Sequence, residues 1–277
     1  MSENSPPERQ PRWPNDRNFS PTVLKTYGQC ASRVKMQYVQ KLEGPDKWIR
    51  AFAMGRPTHQ ALKIIARQLS VGADGSVTDE QIRDFCRFEI PRKQYSSDEA
   101  HEADIQLVIR WVRKGESWLK SLNVEEWLRI EQFERRNFTM FPAKVPFSMV
   151  TSPDLVIKQI DEDGEPFYHI IDWKTGSVWE EPDVPVIMRF ALHDKLEEWT
   201  GDANAANVMF TWYWLDHDYR KSLDISYEHS TYYWPDIVRQ MKSLATEQDW
   251  IATPGKHCNF CPYYKNYCPE EIPPELE

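Results

Sequence analysis

Long apolar runs are missing from this sequence: none reaches the roughly 18 residues that a membrane-spanning helix needs. The first residues, MSENSPPERQPRWPNDRN, also lack the apolar stretch of a secretion signal. We therefore expect a cytoplasmic protein. Positive charge is not in excess either, since 34 Lys and Arg face 43 Asp and Glu, for a net charge of −9. This balance argues against a generally basic nucleic-acid coat, although an acidic protein can still carry a local basic groove.

An even set of cysteines is missing too. The five cysteines are an odd number in a compartment that keeps thiols reduced, which makes a disulfide framework a poor interpretation. Their placement is more informative, because Cys258, Cys261 and Cys268 cluster near the end of the chain. Three cysteines need a fourth ligand to complete a tetrahedral zinc site or an iron–sulfur cluster.

Two other cysteines are candidates for that fourth ligand. Cys86 shares an apolar helical stripe with Ile82 and Phe85, so it is expected to be a core residue. Cys30 remains, with His257 as a weaker option. The spacing leaves both zinc and iron–sulfur open.

The pattern of apolar residues predicts the organisation of the chain. Residues 1–19 and 270–277 are expected to be tails, and residues 20–269 a single domain. Helices are expected from Ser20 to about 41, at about 55–70, after Thr78 and from Ser96 to about 122. A hairpin-built sheet follows at about 126–227, with a helix near 185–199, and a C-terminal helix and the cysteine cluster occupy 231–268. The expected fold class is mixed α/β, with the sheet flanked by helices and a helical part at about 55–122.

One predicted hairpin carries candidate chemistry. If its acidic turn centres on Asp163, Asp154 lies directly opposite Asp172, and Lys174 points to the same face. Two carboxylates this close repel each other unless a divalent cation binds between them, and oxygen ligands suit Mg²⁺ or Mn²⁺. The alternative is an ordinary surface Asp–Lys pair on a strand.

His59 is a further ligand candidate. It precedes Leu62 by three residues and points to the apolar face of its helix. Gly55, one turn earlier, leaves room for another element to approach. A lone histidine in such a place is more often a hydrogen-bonded core residue, so its role depends on what accompanies it.

Five segments together resemble a known family. They are SPTVLKTYGQCASRVKMQYV, GRPTHQAL, SPDLVI, HIIDWKTG and CNFCPYYKNYC, in this order over residues 20–269. The succession resembles the PD-(D/E)XK nuclease superfamily, and within it the RecB-like and AddB-like exonucleases and the CRISPR-adaptation nucleases that carry four cysteines. Each motif is weak alone, and the combination is specific.

The resemblance implies a restriction-endonuclease-like core sheet and assigns roles to the matching residues. His59, Asp154, Asp172 and the backbone carbonyl of Trp173 would bind Mg²⁺ or Mn²⁺, and Lys174 would act with Asp154 and Asp172 in catalysis. A [4Fe–4S] cluster, or zinc as the alternative, would join the two ends of the domain through Cys30, Cys258, Cys261 and Cys268.

The sequence departs from the family pattern at two places. Thr151 stands where the family has glycine, three residues before Asp154. The family's Q-x-x-x-Y helix aligns best with Val186 and Phe190, so both polar groups are missing, and Arg189 is the candidate replacement as a phosphate contact. The loss is compatible with altered DNA handling or weak activity.

The leading hypothesis is a metal-dependent deoxyribonuclease, an exonuclease acting on DNA ends or single strands in recombination, repair, CRISPR adaptation or phage DNA processing. The runner-up is a non-catalytic module on the same fold that binds DNA ends or a partner, and a third is a zinc-stabilised structural protein. A helicase or recombination partner would be a separate chain. Trp48 and Trp173 could stack on bases, and the candidate strand contacts, each of which could equally be part of a solvated helix face, are Lys25, Arg33, Lys35, Arg50, Arg56 and Arg189.

Overall fold

The computed structural model describes residues 18–43, 50–140 and 145–268. They fall into two compact units. The central unit comprises residues 50–134 and 152–230, and the terminal unit comprises 18–43, 135–140, 145–151 and 231–268. Within these described ranges no helix is both long enough and apolar enough to cross a membrane.

The fold is mixed α/β, as the sequence predicts. Short segments of π-helix (Lys35–Val39) and 3₁₀-helix (Arg92–Gln94, Lys256–Phe260) accompany the main elements. The helices are α1 (Pro21–Gln29), α2 (Ala31–Val34), α3 (Arg50–Ser70), α4 (Asp79–Glu89), α5 (Asp98–Ser121), α6 (Asp183–Ala191), α7 (His193–Thr200) and α8 (Tyr227–Thr246). The strands are β1 (Asn18–Phe19), β2 (Glu126–Ile130), β3 (Glu134–Met140), β4 (Val145–Thr151), β5 (Leu155–Ile160), β6 (Pro166–Lys174), β7 (Val208–Trp214) and β8 (Tyr219–Asp224).

Local capping explains where several helices begin. The Ser20 hydroxyl accepts a hydrogen bond from the Val23 amide, and Pro21 occupies the first turn of α1. Thr78 opens α4 with the predicted capping box. The α5 helix begins one residue later than expected, because Ser97 rather than Ser96 is its N-cap. The first helix ends at Gln29 instead of continuing to about 41, because Cys30 is extended (φ −164°).

The central unit contains a five-stranded sheet in the order β2-β5-β6-β7-β8. Its pairs are antiparallel except for β6 and β7, which are parallel. The β5–β6 register confirms the predicted hairpin, since Leu155 pairs with Ile171 and Ile160 with Pro166. One face of the sheet packs in the same core as α3, α4 and α5, and the other face packs with α6 and α7.

Two expectations about the strands are wrong. Residues 126–227 do not form one sheet, because β3 and β4 belong to a separate three-stranded sheet in the order β1-β4-β3. The backbone of Glu131 is left-handed (φ 45°), and the chain leaves the first sheet there after Ile130 pairs with Leu155. The N-terminal tail also ends earlier than predicted, because Asn18 and Phe19 form β1.

A buried aromatic side chain explains why β1 is ordered. Phe19 is 1% exposed and packs edge-on against Phe147, which stacks on Phe138. Burying a phenylalanine stabilises a fold by about 1.5–3 kcal/mol, which offsets the cost of ordering these few residues. The remainder of the two predicted tails, residues 1–17 and 270–277, lies outside the described residues.

A buried histidine in the central sheet gives a first testable prediction. The His169 ring lies between Gln159 Oε1 (2.8 Å) and Thr211 Oγ1 (2.7 Å), and burial lowers its pKa from 6.5 to about 4. Below about pH 6.5 the histidine therefore binds a proton in the unfolded chain but not in the native chain, so the free energy of unfolding falls as the pH drops. We expect this histidine to remove about 2 kcal/mol between pH 7 and pH 5.

Urea unfolding of the wild type and of His169→Gln at both pH values measures that contribution. The stability difference between the two proteins should change by the stated amount, because glutamine does not titrate. An equal pH dependence in both proteins would show that His169 does not contribute.

Candidate active site

The β5–β6 hairpin places Asp154 at the end of the sheet, next to the strand that carries Asp172. One Asp154 carboxylate oxygen, Oδ2, accepts a hydrogen bond from the Trp173 amide at 2.7 Å. The Asp154 carbonyl accepts another from the Glu131 amide at 2.9 Å. These two bonds hold the residue from both sides, so the carboxylate is fixed although it lies just outside β5.

The α3 helix brings His59 to this carboxylate. His59 Nδ1 lies 3.1 Å from Asp154 Oδ1. One turn earlier, a Cβ atom on Gly55 would lie 3.1 Å from Thr175 Oγ1, closer than most Cβ contacts. Glycine at this position therefore allows α3 to approach the chain that follows β6, as the sequence suggests.

Glu131 is a candidate site residue that the sequence did not predict. His59, Glu131 and Asp154 each offer a ligand atom within 4.8 Å of the others, and Lys63 Nζ lies 2.7 Å from Glu131 Oε2. Glu131 follows β2, and its left-handed backbone conformation, unusual for a residue with a side chain, is the only local sign of a special role. A non-glycine residue in this conformation cannot be recognised from sequence.

Asp172 and Lys174 form an ion pair beside this group. Lys174 Nζ lies 2.8 Å from Asp172 Oδ2. Burial raises the pKa of Asp172 to about 6, and the negative charge of Asp154 adds to the effect, while Lys174 opposes it. Burial would lower the pKa of Lys174, but Asp172 outweighs this effect, so the net shift is upward and the ammonium form is favoured.

The site concentrates negative charge around His59. Burial acts to lower the pKa of His59, but the carboxylates of Asp154, Asp172 and Glu131 together raise it from 6.5 to about 9. A bound proton therefore offsets part of the carboxylate repulsion. A divalent cation offsets the same repulsion more fully, and the nitrogen and oxygen donors fit Mn²⁺ or Mg²⁺.

The backbone geometry supports the Trp173 carbonyl as a further ligand. In a strand, the amide and carbonyl of one residue point to the same edge. The Trp173 amide points to Asp154, whereas the next carbonyl, that of Lys174, accepts from the Leu215 amide on the opposite side. The Trp173 carbonyl therefore points toward Asp154. Its indole is 4% exposed, so the expectation that it stacks on bases is wrong.

Removing His59 is expected to weaken metal use without unfolding the protein. His59→Ala should raise the Mn²⁺ concentration at half-maximal cleavage by about tenfold or more, because one ligand is lost. In saturating Mn²⁺ the melting temperature should change little, because about a third of the His59 side chain is exposed and the cation offsets the carboxylate repulsion in place of the imidazolium. His101→Ala is the control, because His101 bonds the Ile90 carbonyl away from this group. A large fall in melting temperature with unchanged Mn²⁺ dependence would favour a core role for His59.

The terminal unit brings the four clustered cysteine candidates together. Cys30, Cys258, Cys261 and Cys268 line one cavity with Met36 and other residues. Cys30 lies between α1 and α2, and the Ser32 amide donates to the Ile251 carbonyl at 3.3 Å, which connects this segment to the chain before the cysteines. Four sulfur donors around one apolar cavity fit an iron–sulfur cluster or zinc.

Cys86 lies elsewhere, in the core of the central unit. It is fully buried on α4, and burial raises the pKa of its thiol to about 12. A thiol with so high a pKa is a poor metal ligand, since the thiolate is the ligating form. This placement agrees with the expected core role.

The structure places the predicted DNA contacts differently, and a contact to phosphate needs an exposed cation. Arg189 is fully buried, its Nη2 donates to the Ala203 carbonyl at 2.6 Å, and its guanidinium lies over the Tyr227 ring. It is therefore not available to a phosphate, and the prediction that it replaces the family's polar pair is wrong because α6 is buried along residues 184–191. Val186 and Phe190 on the same helix are buried, so the polar pair of the family is replaced by core packing.

The other basic candidates differ in exposure and pairing. Arg50 forms an ion pair with the buried carboxylate of Asp104, and the exposed Arg56 pairs with Glu89. Arg33 lines the cysteine cavity. Lys25 is exposed and Lys35 half-buried, and both stay predictions, whereas Trp48 lies outside the described residues.

Comparisons with known proteins identify the family. None of the curated proteins is significantly similar to the chain. A solved structure titled "Crystal structure of SSO0001" matches with 14% sequence identity and a TM-score of 0.39, covering 95% of this chain and 90% of that chain. The model of the PD-(D/E)XK nuclease superfamily matches residues 18–269. Because this match covers nearly the whole chain, the protein belongs to the PD-(D/E)XK nuclease superfamily, whose members are generally metal-dependent nucleases.

Proposed function

We propose that this nuclease is a metal-dependent deoxyribonuclease whose active site is the end of the β5–β6 hairpin. One observation carries the proposal. Asp154 and the ion pair of Asp172 with Lys174 lie together at the end of this hairpin, and His59, from helix α3, lies beside their carboxylates. An ordinary surface Asp–Lys pair does not explain why a histidine lies among several carboxylates.

The residues divide the work by their chemistry. His59, Asp154, Asp172 and the Trp173 carbonyl would hold the metal, and we add Glu131 because of its position in the three-residue group. A divalent cation in such a site lowers the pKa of a bound water and neutralises the scissile phosphate. Lys174, favoured in its charged form, would orient the attacking water and stabilise negative charge on the phosphate oxygens. The imidazole donor favours Mn²⁺ over Mg²⁺.

The cysteine cavity supports the finer assignment to the RecB-like and AddB-like branch. Cys30, Cys258, Cys261 and Cys268 would bind a [4Fe–4S] cluster, with zinc as the alternative. Residues 20–269 would act as one nuclease domain, with the catalytic residues in the central unit and the cluster in the terminal unit. The cluster's role would then be structural.

Exonuclease action on single strands or free ends is part of the proposal. It is tested with 5′-labelled linear single-stranded DNA, linear duplex and circular single-stranded DNA, each with Mn²⁺. An exonuclease degrades the linear strands and leaves the circle intact. Equal cutting of the circle and the linear strand would make the enzyme an endonuclease.

Trp179 is the stacking candidate that replaces Trp173. It is 68% exposed and follows Lys174 by only five residues, so an extended chain places it within about 18 Å of the catalytic lysine. Stacking of one base on an aromatic ring contributes about 1–3 kcal/mol.

We therefore expect Trp179→Ala to weaken binding of a single-stranded oligonucleotide by about fivefold or more, measured by fluorescence anisotropy, and Trp179→Phe to weaken it less. Phe88→Ala removes an exposed aromatic from α4 and serves as the control. Equal affinities of Trp179→Ala and the wild type would exclude a stacking role.

A second candidate function is a non-catalytic module that binds DNA ends or a protein partner, such as a helicase. The observation that favours it is the buried, apolar α6, which lacks the family's polar pair. Such a protein would bind labelled DNA ends tightly but release no label in Mn²⁺. A cleavage assay therefore separates the two functions.

A further inference from the structure

The cysteine cavity contains two nitrogen groups that its proposed role as a cluster site does not yet use. Its lining residues other than the four cysteines are Arg33, Met36, Ala252, Thr253, Pro254, His257 and Tyr264. Arg33 is the one permanent cation in that lining. A cluster held by four thiolates is an anion, so a cation in the same wall has an evident electrostatic partner.

Arg33 has a buried donor, its Nε atom, without a hydrogen-bond partner among the described residues. A buried donor left unpaired costs about 1–3 kcal/mol, so such groups usually have a partner in the working protein. Arg33 also follows Cys30 by three residues, in the short helix α2 whose N-cap is Cys30, and both residues line the cavity.

His257 is a second residue of the cavity lining with a buried nitrogen, Nε2, that lacks a partner in the described part of the chain. A Cβ atom on Gly255 would lie 3.1 Å from both Cε1 and Nδ1 of this ring, so a larger residue at position 255 would crowd the imidazole. Two buried nitrogen atoms without a partner among the described residues, on two residues that line one sulfur-rich cavity, point to a group that the cavity binds.

We infer that Arg33 and His257 donate hydrogen bonds to sulfur atoms of the cluster bound by Cys30, Cys258, Cys261 and Cys268, and so set its reduction potential. The inference rests on the proposed iron–sulfur cluster. Hydrogen bonds and positive charge near the sulfurs stabilise the reduced form more than the oxidised form, because reduction adds one negative charge. Both residues therefore raise the potential, and Arg33 has the larger effect because it carries a permanent charge.

The inference gives Arg33 a role different from the DNA contact that the sequence suggests. Arg33 was a candidate DNA contact on a helix face, but its orphaned Nε belongs to the cavity wall. Arg33 is thus a positioning and tuning residue, and its loss should alter the cluster before it alters DNA binding.

The test measures the cluster and not the nuclease activity. Four proteins are purified without oxygen: the wild type, Arg33→Met, Arg33→Lys and His257→Phe. We then measure their iron content and visible absorbance. The midpoint potential is measured by dithionite titration followed by electron paramagnetic resonance. Arg239→Met is the control, since Arg239 is an exposed arginine of the same unit.

Arg33→Met should lower the equilibrium constant for one-electron reduction at least tenfold, a shift of about 59 mV or more. His257→Phe should shift it in the same direction by less, Arg33→Lys should lie between Arg33→Met and the wild type, and Arg239→Met should match the wild type. If Arg33→Met loses its iron, Arg33→Lys gives the decisive potential.

A wild-type potential in Arg33→Met with full iron content, or in Arg33→Lys if Arg33→Met loses its iron, would overturn the inference and leave the cluster intact. Wild-type protein that contains zinc or no metal would instead overturn the proposed cluster itself. The two failures are therefore distinguishable.

Discussion

Lys174→Ala is expected to reduce DNA cleavage to background, a loss of at least about 10²-fold to 10³-fold. The side chain is the cation that faces Asp172, at 2.8 Å, and in the proposed mechanism it would stabilise the charge of the reacting phosphate. Asp172→Ala should have a similar effect, because it removes a proposed metal ligand. Initial rates on labelled single-stranded DNA in Mn²⁺ give both values.

The fold should survive these substitutions. Removing Lys174 leaves Asp172 buried without its cation, but the pKa of Asp172 is already raised to about 6, so the carboxyl can bind a proton at modest cost. Circular dichroism and melting temperature check this point.

Lys195→Ala is the matched control for Lys174→Ala. The Lys195 side chain is 34% exposed, against 33% for Lys174, and it pairs with Glu198 at 2.7 Å on α7. Its activity should stay within about twofold of the wild type, since surface ion pairs contribute little. Near-wild-type, metal-dependent cleavage by Lys174→Ala or Asp172→Ala would contradict the assignment.

Cys30→Ser is expected to give colourless, poorly soluble protein. Cys30 lies 228 positions before Cys258 (258 − 30), and both residues line the same cavity. Closing a loop of that length costs a flexible chain about 5 kcal/mol of entropy, from (3/2)RT ln n. Ligation that constrains the unfolded chain removes part of this cost, and a domain is stable by only about 5–15 kcal/mol, so the loss should be severe.

Cys86→Ser is the matched control, because Cys86 is a fully buried cysteine of the central unit. It should stay brown and active, although it loses some stability. Iron analysis, visible absorbance and thermal unfolding compare the two variants. If Cys30→Ser purifies with a full complement of iron and normal stability, the cluster must use another ligand, and His257 is the remaining candidate in the cavity lining.

The hairpin was predictable because its turn determines the register. Asp161 Oδ1 accepts hydrogen bonds from the amides of Asp163 and Glu165, and Gly164 has the positive φ that the turn requires. Acidic residues and one glycine between two apolar segments predict this turn. The opposition of Asp154 and Asp172 then follows from the two-residue period of strands.

Other features depend on contacts that local patterns do not record. Glu131 was missed because its role comes from the long-range approach of α3 and β5, and a single glutamate after a strand is unremarkable in sequence. Arg189 was predicted to contact phosphate because it lies where the family has its Q-x-x-x-Y helix, whereas here the guanidinium is buried against Ala203 and Tyr227. The division of the strands into two sheets depends on pairing partners far apart in the chain, which alternation of apolar residues does not identify.

The proposed function requires that His59, Asp154, Asp172 and Lys174 form a working metal-dependent nuclease site. The most direct measurement incubates the purified wild-type protein with 5′-labelled single-stranded DNA, in Mn²⁺ and, in parallel, in excess EDTA. We expect release of labelled nucleotides in Mn²⁺ and none in EDTA. Folded protein that binds this DNA but leaves it intact in Mn²⁺ and in Mg²⁺ would contradict it.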